Sequence, residues 1–230
     1  MSEQPSAAAA TDGSVRLLLI RHGETEWNAQ TRIQGHTDID LSERGREQAL
    51  LLARHLADEA RHAPIQAVYA SNLARARDTA RPLAEALGLP LRVDERLRER
   101  GFGLFEGHTY DEAQARWPQE YAIWRRREPG YAVPGGESYL EGRARVLACL
   151  TELVHAHPGA TLAIVTHGGM LDTIYRTAEG IAWETPRSHL LPNVSINRVL
   201  AQPVPGRTPD LRVLSWAESG HLAELDRAPG

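Results

Sequence analysis

The sequence predicts an α/β fold: a three-layer sandwich with a mostly parallel central sheet and helices on both faces. Three observations predict it. Short apolar runs rich in β-branched residues recur at 15–20 (VRLLLI), 65–70 (IQAVYA) and 161–166 (TLAIVT). They carry almost no polar alternation, as strands covered on both faces should. Each is followed, after a polar stretch, by a segment with apolar residues at helical spacing, and strands alternating with helices assemble into such a sandwich.

The elements follow in order. VRLLLI ends in Arg21, His22, Gly23 and Glu24, opening a long polar loop. Ser42 is placed to cap a helix whose apolar face is Ala49, Leu52, Ala53 and Leu56. After IQAVYA, Leu73, Ala76, Ala80, Leu83 and Leu87 share a helical face, and Gly88 with Pro90 stops that helix. A short strand, LRV (91–93), precedes RERGFGLFEGH (98–108), a glycine-broken loop. Thr109 and Glu112 form a capping box that opens one helix expected to carry both Trp117 and Trp124 on a common face. The stretch 107–136 thus reads as a small helical insert. Ser138 and Glu141 form a second capping box, opening a helix through Leu147, Leu150 and Val154 that Pro158 and Gly159 end. TLAIVT, HGGM and a further helix come next, and VSINRVLA (194–201) and LRVLSW (211–216) close the sheet.

Composition bounds the function. The chain has 230 residues, 42% of them hydrophobic and 24% charged, enough for one sizeable core. A single domain is expected over 15–225, with disordered tails at 1–14 and in the closing DRAPG (226–230). The net charge of −4 gives no electrostatic case for nucleic acid or an anionic membrane, so any anion site must be local. No apolar stretch approaches the roughly 18 residues of a membrane span. The start, MSEQPSAAAATDGS, lacks the basic and apolar regions of a secretory signal. One cysteine, Cys149, excludes an internal disulfide, and a cytoplasmic location is expected. His155 and His157 in VHAHPG have no carboxylate or cysteine at ligand spacing, so no metal site is expected there.

In open α/β sheets, ligands sit beyond the carboxyl ends of the strands. RHGETEWN (21–28), SNLARARDTA (71–80), RERGFGLFEG (98–107) and THGG (166–169) all fall at that edge. The planar fork of arginine suits phosphate. A histidine among arginines tends to lose its proton, and a neutral imidazole can attack phosphorus. The leaving alkoxide then needs a proton, which a glutamic acid can supply. These are the parts for phosphoryl transfer through a phosphohistidine, without a metal. The residues alone leave two choices open. Glu99 and Glu106 share one loop, and Arg75 and Arg77 lie on different sides of one helix, so only one of each pair suits a common pocket.

Taken together, LIRHGETEWN, LSERGREQA, RARDTA, FEG, GGES and VTHGG, in that order, resemble the histidine phosphatase superfamily, the phosphoglycerate mutase-like proteins, over about residues 17–198. The resemblance implies that His22 is the nucleophile, that Arg21 and Arg75 grip the phosphoryl oxygens and that His167 stabilises their charge. It assigns proton donation to Glu99 and a structural role to Glu106. Asn28, Gln34 and the Gly168 backbone would complete the phosphate pocket, with Thr25 and Gly35 among the binding residues. No metal or organic cofactor is implied. A mutase must exclude water beneath a longer, more cationic cover. Here the covering segment is short, with basic residues at Arg116 and at Arg125, Arg126 and Arg127. The expected activity is therefore a phosphatase acting on a small phosphorylated metabolite, as a monomer or homodimer, with mutase activity as the alternative. A non-catalytic phosphate binder would be expected to lack one of His22, His167 or the acid, and this chain keeps all three.

Overall fold

Six strands form one sheet in the order β3-β2-β4-β1-β5-β6. They are β1 (Val15–Arg21), β2 (Ala67–Ala70), β3 (Leu91–Val93), β4 (Thr161–Thr166), β5 (Ile196–Gln202) and β6 (Asp210–Glu218). The first four pair in parallel, and β5 runs antiparallel to both β1 and β6. This computed structural model describes residues 13–223 and 225; the expected tails lie outside the described residues, apart from Gly13 and Ser14.

Pleating divides the apolar strands between two cores. Leu17 and Leu19 of β1, with Leu162 and Ile164 of β4, pack against α6 (Tyr139–Ala156) and α7 (Gly168–Glu179). Leu18 and Ile20, with Ala163 and Val165, face α2 (Glu43–Glu59) and α3 (Ala74–Leu87). Helices therefore cover both faces, giving the three layers. No helix among the described residues is long and apolar enough to cross a membrane.

The caps sit where the sequence puts them. The Ser42 hydroxyl accepts from the Gly45 N–H, and the Thr109–Glu112 and Ser138–Glu141 boxes close reciprocally. Gly88 ends α3 in the left-handed region at φ +64°, where a side chain would be strained. Two expectations change. The helix expected to run through Trp117 and Trp124 is two helices, α4 (Tyr110–Arg116) and α5 (Pro118–Arg125). The cause is Pro118, which drives Trp117 to an extended φ of −134° and then starts a new helix at its first position. The strand expected from residue 194 begins at Ile196, because Val194 turns at φ +59°.

The insert has its own small core, with Ile33, Phe105, Ala113 and Val133 buried beneath Trp117, Tyr121 and Trp124. It stands on the loops that leave β1 and β3, and so roofs the carboxyl edge of the sheet. α1 (Glu26–Ala29) is a single turn in the first of those loops.

Gly45 packs the first turn of α2 against the loop behind His22. A Cβ there would lie 2.0 Å from the Glu24 carbonyl oxygen, which is main chain and cannot swing aside. Gly45→Ala is expected to cost about 1–3 kcal/mol through overpacking, lowering the melting temperature by several degrees. An unchanged thermal melt would show that the contact relaxes freely.

Candidate active site

Strand register brings the two histidines together. β1 and β4 are neighbours, with Arg21 opposite Thr166, and the His22 N–H donates to the Thr166 carbonyl at 2.9 Å. His22 and His167 are therefore the first residues past the ends of two adjacent parallel strands. The loop after β1 leads to α2 on one face, while β4 leads into α7 on the other. A crevice between diverging connections of this kind is where open α/β sheets bind ligands. The two rings lie 5.1 Å apart between centroids, inclined at 56°.

Their hydrogen-bond partners fix opposite tautomers. Nδ1 of His22 is 2.7 Å from the Gly23 carbonyl oxygen, which can only accept, so Nδ1 carries the hydrogen and Nε2 the lone pair. Nδ1 of His167 instead accepts from Nε of Arg75 at 3.2 Å, so its hydrogen sits on Nε2. That Nε2–H is buried and has no partner among the described residues. Nε of Arg21 is a second buried donor without a partner among the described residues, while the same guanidinium donates through Nη1 to the Leu191 carbonyl. Orphaned buried donors are costly, and two of them beside an imidazole lone pair define a place for an anion.

Burial sets the protonation states. It is the largest influence holding both His22 and His167 well below the usual histidine range, and the nearby Arg75 guanidinium comes second for each. Burial also lowers Arg75, to about 10, against the opposing pull of Glu99, Asp38 and Glu106. Arg75 is fully buried, whereas Arg77 is paired with Asp78 at 3.1 Å. The helix thus presents the first of the two arginines to the crevice.

Loop 34–38 is held by charges of both signs. Arg75 donates to the carbonyls of Gly35 and Thr37 at 2.7 and 2.8 Å. Glu106 accepts from the N–H groups of His36, Thr37 and Phe102 and from the Thr37 hydroxyl. Burial pushes the Glu106 carboxyl up, but these hydrogen bonds outweigh it and hold the group low. Gly35 is required because it sits at φ +54° and a Cβ would lie 2.0 Å from Glu106 Oε1. Glu99 stands differently. Among the described residues its carboxylate oxygens accept only the N–H of Arg100 and the N–H of Gly169 in the first turn of α7, both at 2.8 Å.

A cavity of about 660 Å³ opens above the histidines. Arg21, His22, Asn28, Gln34, Gly35, Arg75, Glu99 and Gly168 all line it. His167 is not among the lining residues; it is fully buried, with its ring 5.1 Å from that of His22. Thr25 does not reach the cavity; it caps α1 in a reciprocal box with Asn28 and so orients that side chain. Several lining residues carry no signal in the sequence, among them Arg100, Tyr110, Trp183 and Arg187. Arg100 follows a glutamate in an irregular loop, and the segment 181–193 has no periodic pattern, so neither carried a local signal. Asn193, also without such a signal, donates to the His22 carbonyl at 2.9 Å. Among the described residues no cluster of histidine, cysteine and carboxylate side chains could hold a metal ion.

Such a crevice can hold an anion against buried donors while a neutral imidazole nitrogen faces it. The family model for the histidine phosphatase superfamily, branch 1, matches residues 17–208. The chain belongs to that superfamily. It is an enzyme of the histidine phosphatase class. Curated relatives match through most of their length. Phosphoglycerate mutase-like protein 4 of Arabidopsis thaliana is 36% identical, over 79% of this chain and 77% of that protein. The metal-independent phosphoserine phosphatase of the same plant is 35% identical, over 91% of this chain and 84% of its own. Among solved structures, mycobacterial glucosyl-3-phosphoglycerate phosphatase in complex with VO3 superimposes with a TM-score of 0.77 at 31% identity, covering 89% of this chain and 99% of that one.

The depressed histidines make a testable contribution to stability. An unfolded histidine titrates near 6.5, but in the fold both rings stay neutral far below that value. As pH falls below about 6.5, the unfolded chain gains protons that the native state refuses, so stability drops towards the depressed native values. His22→Gln or His167→Gln removes one such group. The melting temperature of either variant should decline less steeply from about pH 7 to about pH 5 than that of the parent. Equal slopes would mean the rings titrate normally.

Proposed function

We propose that the protein is a metal-independent phosphatase that hydrolyses a small phosphorylated metabolite through a phosphohistidine at His22. The observation that carries this reading is the pair of opposed tautomers: a lone pair on His22 Nε2 beside unpartnered N–H groups on His167 and Arg21.

In the first step, His22 Nε2 attacks phosphorus, an N–P bond forms and the ester P–O bond breaks. The leaving oxygen takes a proton from Glu99, reached across the cavity wall. The Arg21 Nε–H, the His167 Nε2–H and the Arg75 N–H groups not spent on Gly35, Thr37 and His167 grip the phosphoryl oxygens, where charge builds. The Asn28 and Gln34 amides and the Gly168 N–H complete the pocket, with Gly35 lining it and Thr25 orienting Asn28 from outside it. In the second step, Glu99 takes a proton from water, the water oxygen bonds to phosphorus and the N–P bond breaks. Neutral histidine is regenerated. Glu106 is saturated by four hydrogen bonds to loops, which favours Glu99 as the acid.

The cavity wall supports a substrate with a second anionic group. Arg100 is only 8% exposed, yet no hydrogen bond or ion pair engages its guanidinium among the described residues. It lies over the Phe102 and Trp183 rings at 4.8 and 5.3 Å. Burial lowers its pKa, with the neighbouring Glu99 opposing that shift. A desolvated, unpaired guanidinium facing a cavity suits a carboxylate of the substrate. Relatives named for phosphoserine and glucosyl-3-phosphoglycerate agree with that chemistry. Mutase activity is the alternative, favoured by relatives named phosphoglycerate mutase-like; interconversion of labelled 3-phosphoglycerate faster than phosphate release would establish it.

Acid-labile, base-stable phosphate should be trapped on the parent protein and be absent from His22→Ala, whose kcat/KM should fall at least about 10³-fold. Retained turnover in that variant would exclude His22 as nucleophile. Arg100→Ala should raise KM for a carboxylate-bearing phosphomonoester by about 10- to 100-fold, the worth of a charged hydrogen bond. The same change should leave KM for an uncharged alkyl phosphate within about threefold; equal effects on both would remove the carboxylate from the reading.

A further inference from the structure

We propose that Arg145 is the positioning residue for the general acid, holding the backbone of Glu99 in place through a guanidinium whose every donor is used. The inference rests on the reading of Glu99 as acid and extends it to a residue outside the cavity wall.

Glu99 lies in a stretch that no regular element supports. A 3₁₀ turn covers 95–97, and residues 98–102 are irregular. Neither strand ladder nor helix fixes the main chain that carries the carboxyl group. Arg145 of α6 fills that gap. Its Nη1 donates to the carbonyls of Arg96 and Arg98 at 2.8 and 2.9 Å, and its Nη2 donates to the Glu99 carbonyl at 3.0 Å. The remaining donors form a two-pronged pair with Glu137, Nε to Oε1 at 2.9 Å and Nη2 to Oε2 at 2.7 Å. A guanidinium has five N–H groups, and these contacts use them all.

Glu137 completes the clamp from the other side. It is the glutamate of the GGES motif, a stretch to which the reaction assigns no chemical step. Its N–H donates to the Gly101 carbonyl at 2.9 Å, so residues 96–101 are tied at both ends to the start of α6. The close approach needs glycines: a Cβ on Gly136 would lie 2.7 Å from the Gly101 carbonyl oxygen. The ion pair is largely shielded, at 20% and 16% side-chain exposure, so water competes weakly for it. A second donor, Nε2 of His36, reaches the Glu99 carbonyl at 2.7 Å. With its backbone held, Glu99 can swing its carboxyl between the Gly169 N–H and a leaving group without losing its station. Lysine, a point charge with three donors, cannot reproduce the geometry.

The test separates proton delivery from general damage. An alkoxide leaves only when protonated, whereas p-nitrophenolate departs unaided. Arg145→Gln and Arg145→Lys should lower kcat/KM for 3-phosphoglycerate by about 10- to 100-fold, the usual cost of a small misplacement. For p-nitrophenyl phosphate the loss should stay within about threefold. Glu99→Gln, assayed beside them, should show the same split, and Arg145→Gln added to it should cost little more. Equal losses on both substrates in the Arg145 variants, with the split intact in Glu99→Gln, would overturn the positioning role alone. No split in Glu99→Gln would instead overturn the acid assignment and the inference with it. Should the Arg145 variants fail to fold, Glu137→Gln keeps the side-chain shape and removes the charge. It should give a smaller split in the same direction, and its absence would overturn the proposal.

Discussion

Everything at the site depends on one buried cation. Among the described residues Arg75 has no carboxylate in contact; its partners are two carbonyl oxygens and an imidazole nitrogen. Burying a guanidinium on such terms is costly, and the cost is offset by the more distant pull of Glu99, Asp38 and Glu106. What results is a ring nitrogen on His167 that must accept, and therefore a second nitrogen that must donate. The same charge adds to burial, the larger influence, in keeping both histidines neutral. A single side chain thus selects the tautomer of one histidine and reinforces the neutral state of both.

The scaffold makes this arrangement rigid by working from both faces of the sheet. Loop 34–38 hangs between Arg75, which takes its carbonyls, and Glu106, which takes its amide hydrogens. Asp38 in turn accepts the Ala74 N–H at 2.7 Å, serving the α3 terminus that has no side-chain cap of its own. On the opposite face, the first turn of α7 receives Glu99, and Arg145 of α6 ties down the chain behind it. The groups facing the crevice therefore come from five different segments. Each is held by charged hydrogen bonds that a one-residue slip would break.

The positive wall of the cavity is a local feature of a chain whose net charge is −4. Arginines at 100, 126, 127 and 187 converge there because the insert and the 181–193 segment fold over one edge of the sheet. Trp183 joins the two: its ring stacks on Tyr139 at 4.0 Å, and its carbonyl accepts from Arg127 Nε at 2.8 Å. An anionic ligand meets a concentrated field despite the acidic balance of the whole.

Strands, helix caps and the RHG and THGG turns could be read from the amino-acid order alone, because apolar runs, capping residues and glycines act over a few neighbours. The meeting of His22 with His167 was nearly legible too, since both end buried parallel strands and the carboxyl edge collects ligands. The order of residues could not separate Glu99 from Glu106, nor reveal Arg100, Arg145 or Trp183, and it ran one helix through a break at Trp117. The break is made by Pro118, the very next residue; the other outcomes turn on partners 46 to 92 positions away: Glu106 spends its oxygens on residues 36 and 37, Arg145 on 96 to 99, and Arg75 on 167. Local chemistry determined which residues reach the edge of the sheet. Only the packed tertiary structure, by deciding which polar atoms find partners and which are left without, determined what each can do there.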